Sequence, residues 1–420
     1  MIILLKGATI VDNKSNYNFT KKDILINNGI ITDISDNIDS NAYKTIILEN
    51  LHISRGWMDT SVSFGEPGFE ERETISNGLY TAAASGFTSV LLNPNCFPLV
   101  DSFSSVEFLK RKSKDKTSQI YPIANLTVDS KGEELSSLYD MKKAGAVAFG
   151  DYKKVISDSS MLKIALEYTK TFGGRVISFC QDENLSYNGV INEGLISTEN
   201  GLKGIPDISE SILIFRDIEI LRYTGGKLHI PYVNTKKGVE IIKNAKKESL
   251  DITSSVSISH IVNSDHDILD FDTNLKLNPP LRKSDDIKAL KEGLIDGTID
   301  FITSMHEPID EDNKKVVFDD ALPGTISLEC TFGLMLNNFP LEKTIELLTK
   351  KKSIFNVEEY PIEIGNKADL TLFNPDKNYT FTERHILSTS KNCSFIGKNL
   401  NGIVYGSINN NKITLNDLWT

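Results

Sequence analysis

The feature that most constrains this chain of 420 residues is a long alternation of short apolar strands and helical segments between residues 53 and 355. The strand candidates are Thr88–Leu92, Ala146–Phe149, Arg175–Ser178, Lys227–Ile230 and Asp300–Thr303. Regular alternation of this kind indicates an α/β fold with strands that pair in parallel. So long a run is more typical of a closed (β/α)8 barrel than of an open sheet, although periodicity alone also allows a doubly wound fold.

The two ends of the chain have a different pattern, with short strands separated by turns rich in Asn and Gly. The strand candidates there are Ile2–Lys6, Ala8–Asp12, Asp23–Asn27, Gly29–Ile34, Thr45–Leu48, Asp369–Phe373 and Gly402–Tyr405. We therefore expect residues 1–52 and 356–420 to form one composite β-sandwich domain. Residues 53–355 would form the barrel, with any chemistry at the C-terminal ends of its strands.

The formal charge of -11 argues against partners with anionic surfaces. Nucleic acids and acidic membranes attract basic patches, whereas the lysines and arginines of this chain are scattered among acidic residues. The longest basic run, Lys350–Lys352, follows an apolar helical pattern, and we interpret it as a solvated helix C-terminus. We expect neither a nucleic-acid partner nor a membrane partner.

The cysteine pattern and the apolar segments favour a cytoplasmic protein. Cys96, Cys180, Cys330 and Cys393 are far apart in the sequence and include no CxxC pair, which favours reduced thiols over a disulfide framework. The N-terminus lacks the basic start of a signal peptide, and it reaches a charge at Lys6. No segment of the sequence is apolar for the length that a bilayer requires.

Three segments of the chain resemble the bacterial dihydroorotases and related cyclic amidohydrolases. These segments are Gly56–Asp59 with Glu66–Gly68, Gly201–Pro206 and Lys276–Arg282; Gly145–Asp151, Gly297–Asp300 and Ala368–Asp369 follow the family's order and spacing. The resemblance implies a distorted (β/α)8 barrel with a β-sandwich built from both termini. It also implies that active members bind one or two zinc ions at the strand ends, where the metal activates water to open or close the dihydroorotate ring.

Five positions where the resemblance implies zinc ligands hold other residue types. Ser61 and Ser63 stand where the family's Asp-x-His-x-His motif has its two histidines. Phe179 and Tyr232 replace two further histidines, and Met305 replaces an aspartate. Hydroxyl, phenyl, phenol and thioether groups are poor zinc ligands or none at all. We therefore expect no metal site and no cofactor, with zinc as the alternative.

The remaining histidines leave a rebuilt site open but do not favour it. His229 and His306 lie at odd offsets from Tyr232 and Met305, which places their side chains on the opposite face of a regular strand. We interpret them, together with His260, as packing residues or as support for other side chains.

Only one catalytic candidate is retained, and the substrate positions are mixed. Asp151 is the one carboxylate left among the positions that contact metal in some members, and a structural role is the plainer interpretation. Asn95, Asn278 and His306 are the candidate substrate-pocket residues, although both asparagines also suit strand-end turns. The arginine that would bind the substrate carboxylate is replaced by Gly65, which removes a bidentate contact.

The sequence therefore predicts a dihydroorotase-like protein of pyrimidine biosynthesis that is catalytically inactive, a pseudoenzyme. By family analogy it would act as a structural or regulatory partner of aspartate carbamoyltransferase, and we also expect a homo-oligomer. One alternative is an active dihydroorotase or related cyclic amidohydrolase with an altered metal site. Another is a small-molecule sensor that uses the former substrate pocket.

Overall fold

A computed structural model describes residues 1–39, 42, 44–268 and 270–420 of the chain. Two large sheets organise the fold, one central and one built from both ends of the chain. The described strands are β1 (Ile2–Ile10), β2 (Lys21–Asn27), β3 (Ile30–Ser35), β4 (Lys44–Ile46), β5 (His52–Arg55), β6 (Trp57–Val62), β7 (Phe87–Leu92), β8 (Gln119–Ala124), β9 (Ala148–Phe149), β10 (Arg175–Ile177), β11 (Ile191–Asn192), β12 (Gly204–Ile205), β13 (Lys227–Ile230), β14 (Ile252–Ser257), β15 (Phe301–Thr303), β16 (Leu370–Thr380), β17 (Asn399–Asn409) and β18 (Lys412–Leu415).

The central sheet is a barrel of eight parallel strands among the described residues, in the order β6, β7, β8, β9, β10, β13, β14, β15. A parallel bridge between Val62 and His306 joins its first and last strands, and the Ser63 amide donates to the His306 carbonyl at 2.8 Å. Strands β7 and β14 are buried at every position, as parallel strands covered by helices require. The predicted (β/α)8 fold class is confirmed.

Helices surround the barrel. Several of them begin at a polar side chain that accepts a hydrogen bond from a free backbone amide of the first turn. Thr74 accepts from the Asn77 amide at 3.2 Å, and Thr235 accepts from the Gly238 amide at 3.0 Å. None of the described helices is long and apolar enough to cross a membrane. The described α-helices are α1 (Ile75–Ala84), α2 (Phe103–Ser113), α3 (Leu138–Ala144), α4 (Ser159–Lys170), α5 (Leu195–Glu199), α6 (Ile208–Thr224), α7 (Lys236–Lys247), α8 (Ser259–Val262), α9 (Ser284–Asp296), α10 (Glu311–Lys314), α11 (Thr331–Asn338) and α12 (Leu341–Thr349).

The second sheet contains strands from both ends of the chain. Its order is β18, β17, β16, β5, β1, β2, β3, with β4 beside β1. The N-terminal and C-terminal parts meet where β5 pairs antiparallel with β16, so that Arg55 lies opposite Leu370. A β-domain composed of both termini is thereby confirmed as part of the fold, while the boundaries at residues 52 and 356 stay a prediction.

The first two predicted strands form one strand in the structure. The sequence predicts Ile2–Lys6 and Ala8–Asp12 as two strands, but β1 runs through from Ile2 to Ile10. Gly7 has a φ of 60°, and the register of β1 against β2 shifts between Leu5 and Ala8. The glycine therefore makes a bulge inside a strand and does not turn the chain.

The barrel and the terminal sheet share a packed junction. The Trp57 ring lies 4.7 Å from the Phe332 ring and 5.7 Å from the Phe373 ring, and its indole N–H donates to Ser54 Oγ at 2.8 Å. Gly56 lies beside Asp369, and a Cβ at this glycine would be 2.0 Å from a carboxylate oxygen of Asp369. The close approach explains why this position needs a glycine.

The basic run at the end of α12 is not solvated as predicted. Helix α12 ends at Thr349, and the chain then turns inward so that Lys351 and Lys352 are both buried. The Lys351 ammonium donates to the Ile302 carbonyl, and the Lys352 ammonium pairs with Asp369. The interpretation of this run as a solvated helix C-terminus is therefore wrong for both residues.

Candidate functional site

The C-terminal mouth of the barrel holds a cluster of neutral hydroxyl and amide groups. Ser61 Oγ is hydrogen-bonded to the Tyr232 hydroxyl. The Asn93 amide donates to Ser61 Oγ at 3.1 Å and to Ser63 Oγ at 3.0 Å. The structure thus brings together Ser61, Ser63 and Tyr232, three of the five positions where zinc ligands were expected. Asn93 was not singled out from the sequence, because it carries no signal that distinguishes it from a turn residue.

The other two positions where zinc ligands were expected belong, with Tyr232, to an apolar layer. Phe179, Tyr232 and Met305 are nearly fully buried, and they pack in one apolar cluster with Leu277 and Phe318. The rings of Phe179 and Tyr232 lie 6.4 Å apart in an edge-on arrangement. Side chains of this kind exclude water and offer no lone pair for a metal except the phenol and the thioether.

A small cavity lies between the described residues of the mouth. This cavity measures about 20 Å³ and is lined by Ser61, Asn93, Tyr152, His229, Tyr232 and Ser255 together with neighbouring apolar residues. By the same measure a single water molecule needs about 10–15 Å³. The cavity therefore has room for about one water and none for a ring the size of dihydroorotate.

Three residues at the mouth have backbone angles that are rare for side chains other than glycine. Tyr152, Tyr232 and Met305 have φ values of 58°, 56° and 53°. Such left-handed residues cost about 1–3 kcal/mol each and persist only where the surrounding structure fixes them. The strand ends thus have a strained backbone at two of the positions where zinc ligands were expected.

Asp59 fastens the first barrel strand to the last. Its carboxylate accepts hydrogen bonds from the Ser61 amide at 2.9 Å, from the Ser304 amide at 2.8 Å and from the Thr303 hydroxyl. Lys351 lies near this carboxylate; burial lowers the pKa of Lys351 to about 8, and the charge of Asp59 opposes that shift. All the polar contacts of Asp59 lie within the barrel wall, so its role is structural.

The carboxylate of Asp151 is hydrogen-bonded to the loop that follows β8. It accepts from the Leu126 amide at 2.9 Å, from the Thr127 amide at 3.1 Å and from the Thr127 hydroxyl at 2.5 Å. Burial raises the pKa of its carboxyl group, and these hydrogen bonds oppose that shift. Both carboxylate oxygens serve the loop, whereas a general base would need one of them free at the cavity.

The three predicted substrate-pocket residues do not line the remaining cavity. Asn95 and Asn278 each keep a buried side-chain oxygen that has no hydrogen-bond partner in the described part of the chain. His306 accepts at Nδ1 from the Ser327 and Leu328 amides, at 3.2 and 3.3 Å. Two amide donors at Nδ1 leave the imidazole proton on Nε2, and burial lowers the pKa of this histidine.

The position of the missing arginine is closed by backbone. A Cβ at Gly65 would lie 1.7 Å from the carbonyl oxygen of Phe69. This loop therefore has no room for an arginine side chain, or for any side chain, without a change in its path. Ile309, where the resemblance implies a further histidine, is buried as well.

His229 and His260 are buried and hydrogen-bonded to neighbouring groups. His229 bonds Thr253 Oγ1 at 3.0 Å and Ser255 Oγ at 3.2 Å, and its ring stacks 5.2 Å from the Phe301 ring. Burial and nearby positive charges lower its pKa to about 3, so it is neutral at pH 7. His260 is buried too, and its Nε2 lies 3.0 Å from the Pro279 carbonyl.

The donors at the mouth do not fit the zinc ion that the resemblance implies. Zinc sites use thiolate, imidazole and carboxylate donors that converge on one point. In the described ranges, no three His, Cys, Asp or Glu side chains form a group that could hold a metal ion. The five positions present hydroxyl, phenyl, phenol and thioether groups instead. Ser61 bonds Tyr232, Ser63 accepts from Asn93, and Phe179, Tyr232 and Met305 pack in the apolar layer.

Comparison with known proteins gives a consistent family. A family model described as dihydro-orotase-like matches residues 52–238. The dihydroorotases of Pelotomaculum thermopropionicum and Acetivibrio thermocellus are 35% and 38% identical to this chain, and each alignment covers 99% of both proteins. The L-hydantoinase of Arthrobacter aurescens has the same fold, with a TM-score of 0.84, 20% identity and coverage of 98% of this chain and 95% of that structure.

These relatives correct one prediction. We expected no cofactor, and this prediction is wrong, because the relatives are dihydroorotases and zinc is the metal that this family implies. The side chains at the mouth of this chain nevertheless differ from the donors that zinc sites use. Identity above 30% along nearly the whole length leaves no ambiguity about ancestry. The chain belongs to the dihydroorotase family of cyclic amidohydrolases.

Proposed function

We propose that this chain is a catalytically inactive dihydroorotase-like protein that acts as a structural or regulatory partner in pyrimidine biosynthesis. The observation that carries the proposal is the closed barrel mouth. Phe179, Tyr232 and Met305 fill it, and a cavity of about 20 Å³ is left. A substrate that cannot enter the barrel cannot be hydrolysed there.

The chemistry of the mouth supports the same proposal. Opening a cyclic amide requires a nucleophilic water, whose pKa must fall from about 15.7 to near 7. The polar side chains that line the cavity are hydroxyls, an amide and the neutral imidazole of His229. Proton removal by one general base supplies only about 10²–10⁴-fold, and Asp151 is engaged elsewhere.

Loss of the carboxylate-binding arginine supports the proposal independently. Dihydroorotate carries a carboxylate, which a guanidinium would bind through two charge-assisted hydrogen bonds. The backbone around Gly65 leaves no space for that side chain. The closed mouth also argues against a sensor of dihydroorotate in the former pocket.

The preserved scaffold supports a partner role. The chain aligns with dihydroorotases over 99% of its length, so a scaffold of the full size of these relatives is present to bind a partner. By family analogy the partner is aspartate carbamoyltransferase. Co-purification from the native cell tests this directly: the carbamoyltransferase should be retained by the tagged chain, and its assembly should change when the chain is deleted. Absence of both effects would refute the partner role.

A second candidate function is an active cyclic amidohydrolase with an altered metal site, and the 38% identity to a dihydroorotase favours it. The two candidates differ in one experiment. Protein purified without chelators is analysed for zinc and is assayed for dihydroorotate turnover in both directions, with a dihydroorotase relative as the positive control. Stoichiometric zinc with turnover would establish the second candidate and end the first. Turnover indistinguishable from the buffer blank supports the first.

A further inference from the structure

A cavity of about 500 Å³ lies between helix α1, the chain just before β8 and the hairpin of β17 and β18. We call it the α1 cavity. The residues around it that matter here are Leu79, Tyr80, Asp115, Lys116, Lys412 and Ile413. Cavities that bind small molecules measure about 300–1,000 Å³, so the α1 cavity has room for a whole ligand, whereas the barrel mouth has not.

The α1 cavity is separate from the barrel mouth. Asp115 and Lys116 come just before β8, which begins at Gln119, and they therefore lie at the N-terminal ends of the barrel strands. The mouth lies at the opposite ends of the same parallel strands. A ligand in the α1 cavity would touch none of the positions where zinc ligands were expected.

Hydrogen bonds between the walls hold the α1 cavity open. The Asn410 side-chain amide donates to the Lys116 carbonyl at 2.9 Å, which joins the hairpin to the chain before β8. The Ser407 hydroxyl donates to the Ala83 carbonyl at 2.8 Å, which joins β17 to the end of α1. Walls that are fixed in advance reduce the ordering cost that a ligand must overcome. The cavity thus has the preformed character of a binding site.

Two cationic side chains line the α1 cavity without a partner of their own. Lys116 and Lys412 are both exposed, and among the described residues neither ammonium group has an ion pair or a hydrogen bond. One carboxylate, that of Asp115, stands against these two cations, although the chain as a whole carries a charge of -11. A phosphate monoester carries about -1.5 to -2 at pH 7, and lysine binds phosphate as a point charge.

The remaining lining suits a ring and a sugar. The Tyr80 side chain is 38% exposed, and the apolar side chains of Leu79 and Ile413 lie in the same lining. Burial and the charge of Asp417 raise the pKa of Tyr80, so its ring is neutral at pH 7. Aromatic side chains stack on the planar face that every nucleobase has. The exposed Asp115 carboxylate is an acceptor of the kind that binds ribose hydroxyls in nucleotide sites.

We propose that the α1 cavity binds a nucleoside monophosphate. Lys116 and Lys412 bind the phosphate, Asp115 accepts from a ribose hydroxyl, and the base stacks on Tyr80. Stacking does not select one base, so the proposal specifies the phosphate and the ribose only. It uses no residue of the barrel mouth, and it stands or fails independently of whether the chain is catalytic or binds a carbamoyltransferase.

Titration calorimetry of the full-length chain with four compounds tests the ligand class. Adenosine 5′-monophosphate should bind at one site per chain, and adenosine, ribose 5-phosphate and inorganic phosphate should each bind at least about tenfold more weakly. Each of these three lacks one part of the proposed ligand. No binding of adenosine 5′-monophosphate at millimolar concentration would refute the site. Equal binding of any of the other three would refute the nucleotide class.

Substitutions in the lining test the assigned residues. Lys116→Met and Lys412→Met should each weaken the binding of adenosine 5′-monophosphate by about fivefold and make it less sensitive to salt. Lys288→Met, at an exposed lysine of α9 outside the cavity, is the matched control and should bind like the wild type. Ser76→Trp fills the cavity from an exposed position of α1 and should abolish binding with an unchanged circular dichroism spectrum. Wild-type affinity in both lysine variants would overturn the proposal.

An acetylation experiment on the unaltered protein locates the ligand. The N-hydroxysuccinimide ester of acetic acid transfers its acetyl group to exposed amines and releases N-hydroxysuccinimide, and peptide masses report the rate at each lysine. Adenosine 5′-monophosphate should slow acetylation of Lys116 and Lys412 and leave that of Lys288 unchanged. Equal rates at Lys116 and Lys412 with and without the nucleotide would refute the proposed placement.

Discussion

Phe179 is a packing residue at a position where the resemblance implies a zinc ligand. It is 3% exposed within an apolar cluster. Phe179→Ala should lower the free energy of unfolding by about 3–5 kcal/mol, because it leaves a cavity in a packed core. Phe97→Ala, at a residue that is 70% exposed, should change it by no more than about 0.5 kcal/mol. Urea denaturation measures both, and equal effects would contradict a packed mouth.

His229 makes stability depend on pH. The folded chain lowers the pKa of His229 to about 3, whereas the unfolded chain takes up a proton near 6.5. Below pH 6.5 the unfolded state therefore binds more protons, and stability falls as the pH falls toward 3. The loss is at most about 1.4 kcal/mol per pH unit from this residue.

The pH effect is measured as the free energy of unfolding at pH 7 and at pH 5. His229→Gln should reduce the difference between the two values. His266→Gln, at an exposed histidine, is the control and should leave the difference unchanged. His260 is buried as well, and burial lowers its pKa to about 4, so part of the pH dependence should remain in the His229 variant. An unchanged pH dependence would refute the assigned role of His229.

At the scale of elements, Asp59 holds β6 and β15 together and so closes the barrel. Asp59→Asn replaces one acceptor oxygen by an amide group that faces backbone N–H donors, so stability should fall by about 1.5–3 kcal/mol. Amide hydrogen exchange should accelerate in both strands. Asp36→Asn, at an acid in an exposed pair with Lys22, is the control and should leave the exchange unchanged. If exchange accelerates elsewhere in the barrel and not in β6 and β15, Asp59 does not hold these two strands together.

Sequence periodicity predicted the elements better than the contacts between them. The barrel strands and the two-ended sheet follow from local patterns of apolar residues, which depend on near neighbours only. The role of Asp59 depends on Thr303 and Ser304, which reach it only when the barrel closes. Lys351 and Lys352 were misplaced for the same reason, since their partners Ile302 and Asp369 lie in other parts of the fold.

The five altered positions were found from the sequence because the resemblance identified them, but their new arrangement was not. Nothing in the residue types showed that Ser61 and Tyr232 bond each other, or that Phe179 and Met305 join an apolar layer. The sequence also offered Asn95 as a pocket residue, whereas Asn93 makes the contacts with the serines. Side chains do not alternate regularly between the two faces at this strand end, because the backbone turns there.

At the scale of the whole molecule, one buried ion pair links the barrel to the terminal sheet. Lys352 pairs with Asp369, and both are largely buried. Lys352→Met should cost about 3–5 kcal/mol, because it leaves the carboxylate buried without its partner. Lys352→Met combined with Asp369→Leu should recover part of that loss. Calorimetry of the wild type, the single variant and the double variant measures these free energies of unfolding. Lys22→Met, at an exposed pair, is the control and should have little effect.

The left-handed backbone at Tyr232 and Met305 distinguishes the shape of the barrel from the chemistry of its side chains. The barrel wall fixes the path of these strand ends, because left-handed residues persist only where the surrounding structure holds them. Superposition on a hydantoinase compares the backbone over 98% of this chain and gives a TM-score of 0.84. A similar backbone therefore does not establish a similar chemistry at these strand ends, which only an assay of activity measures.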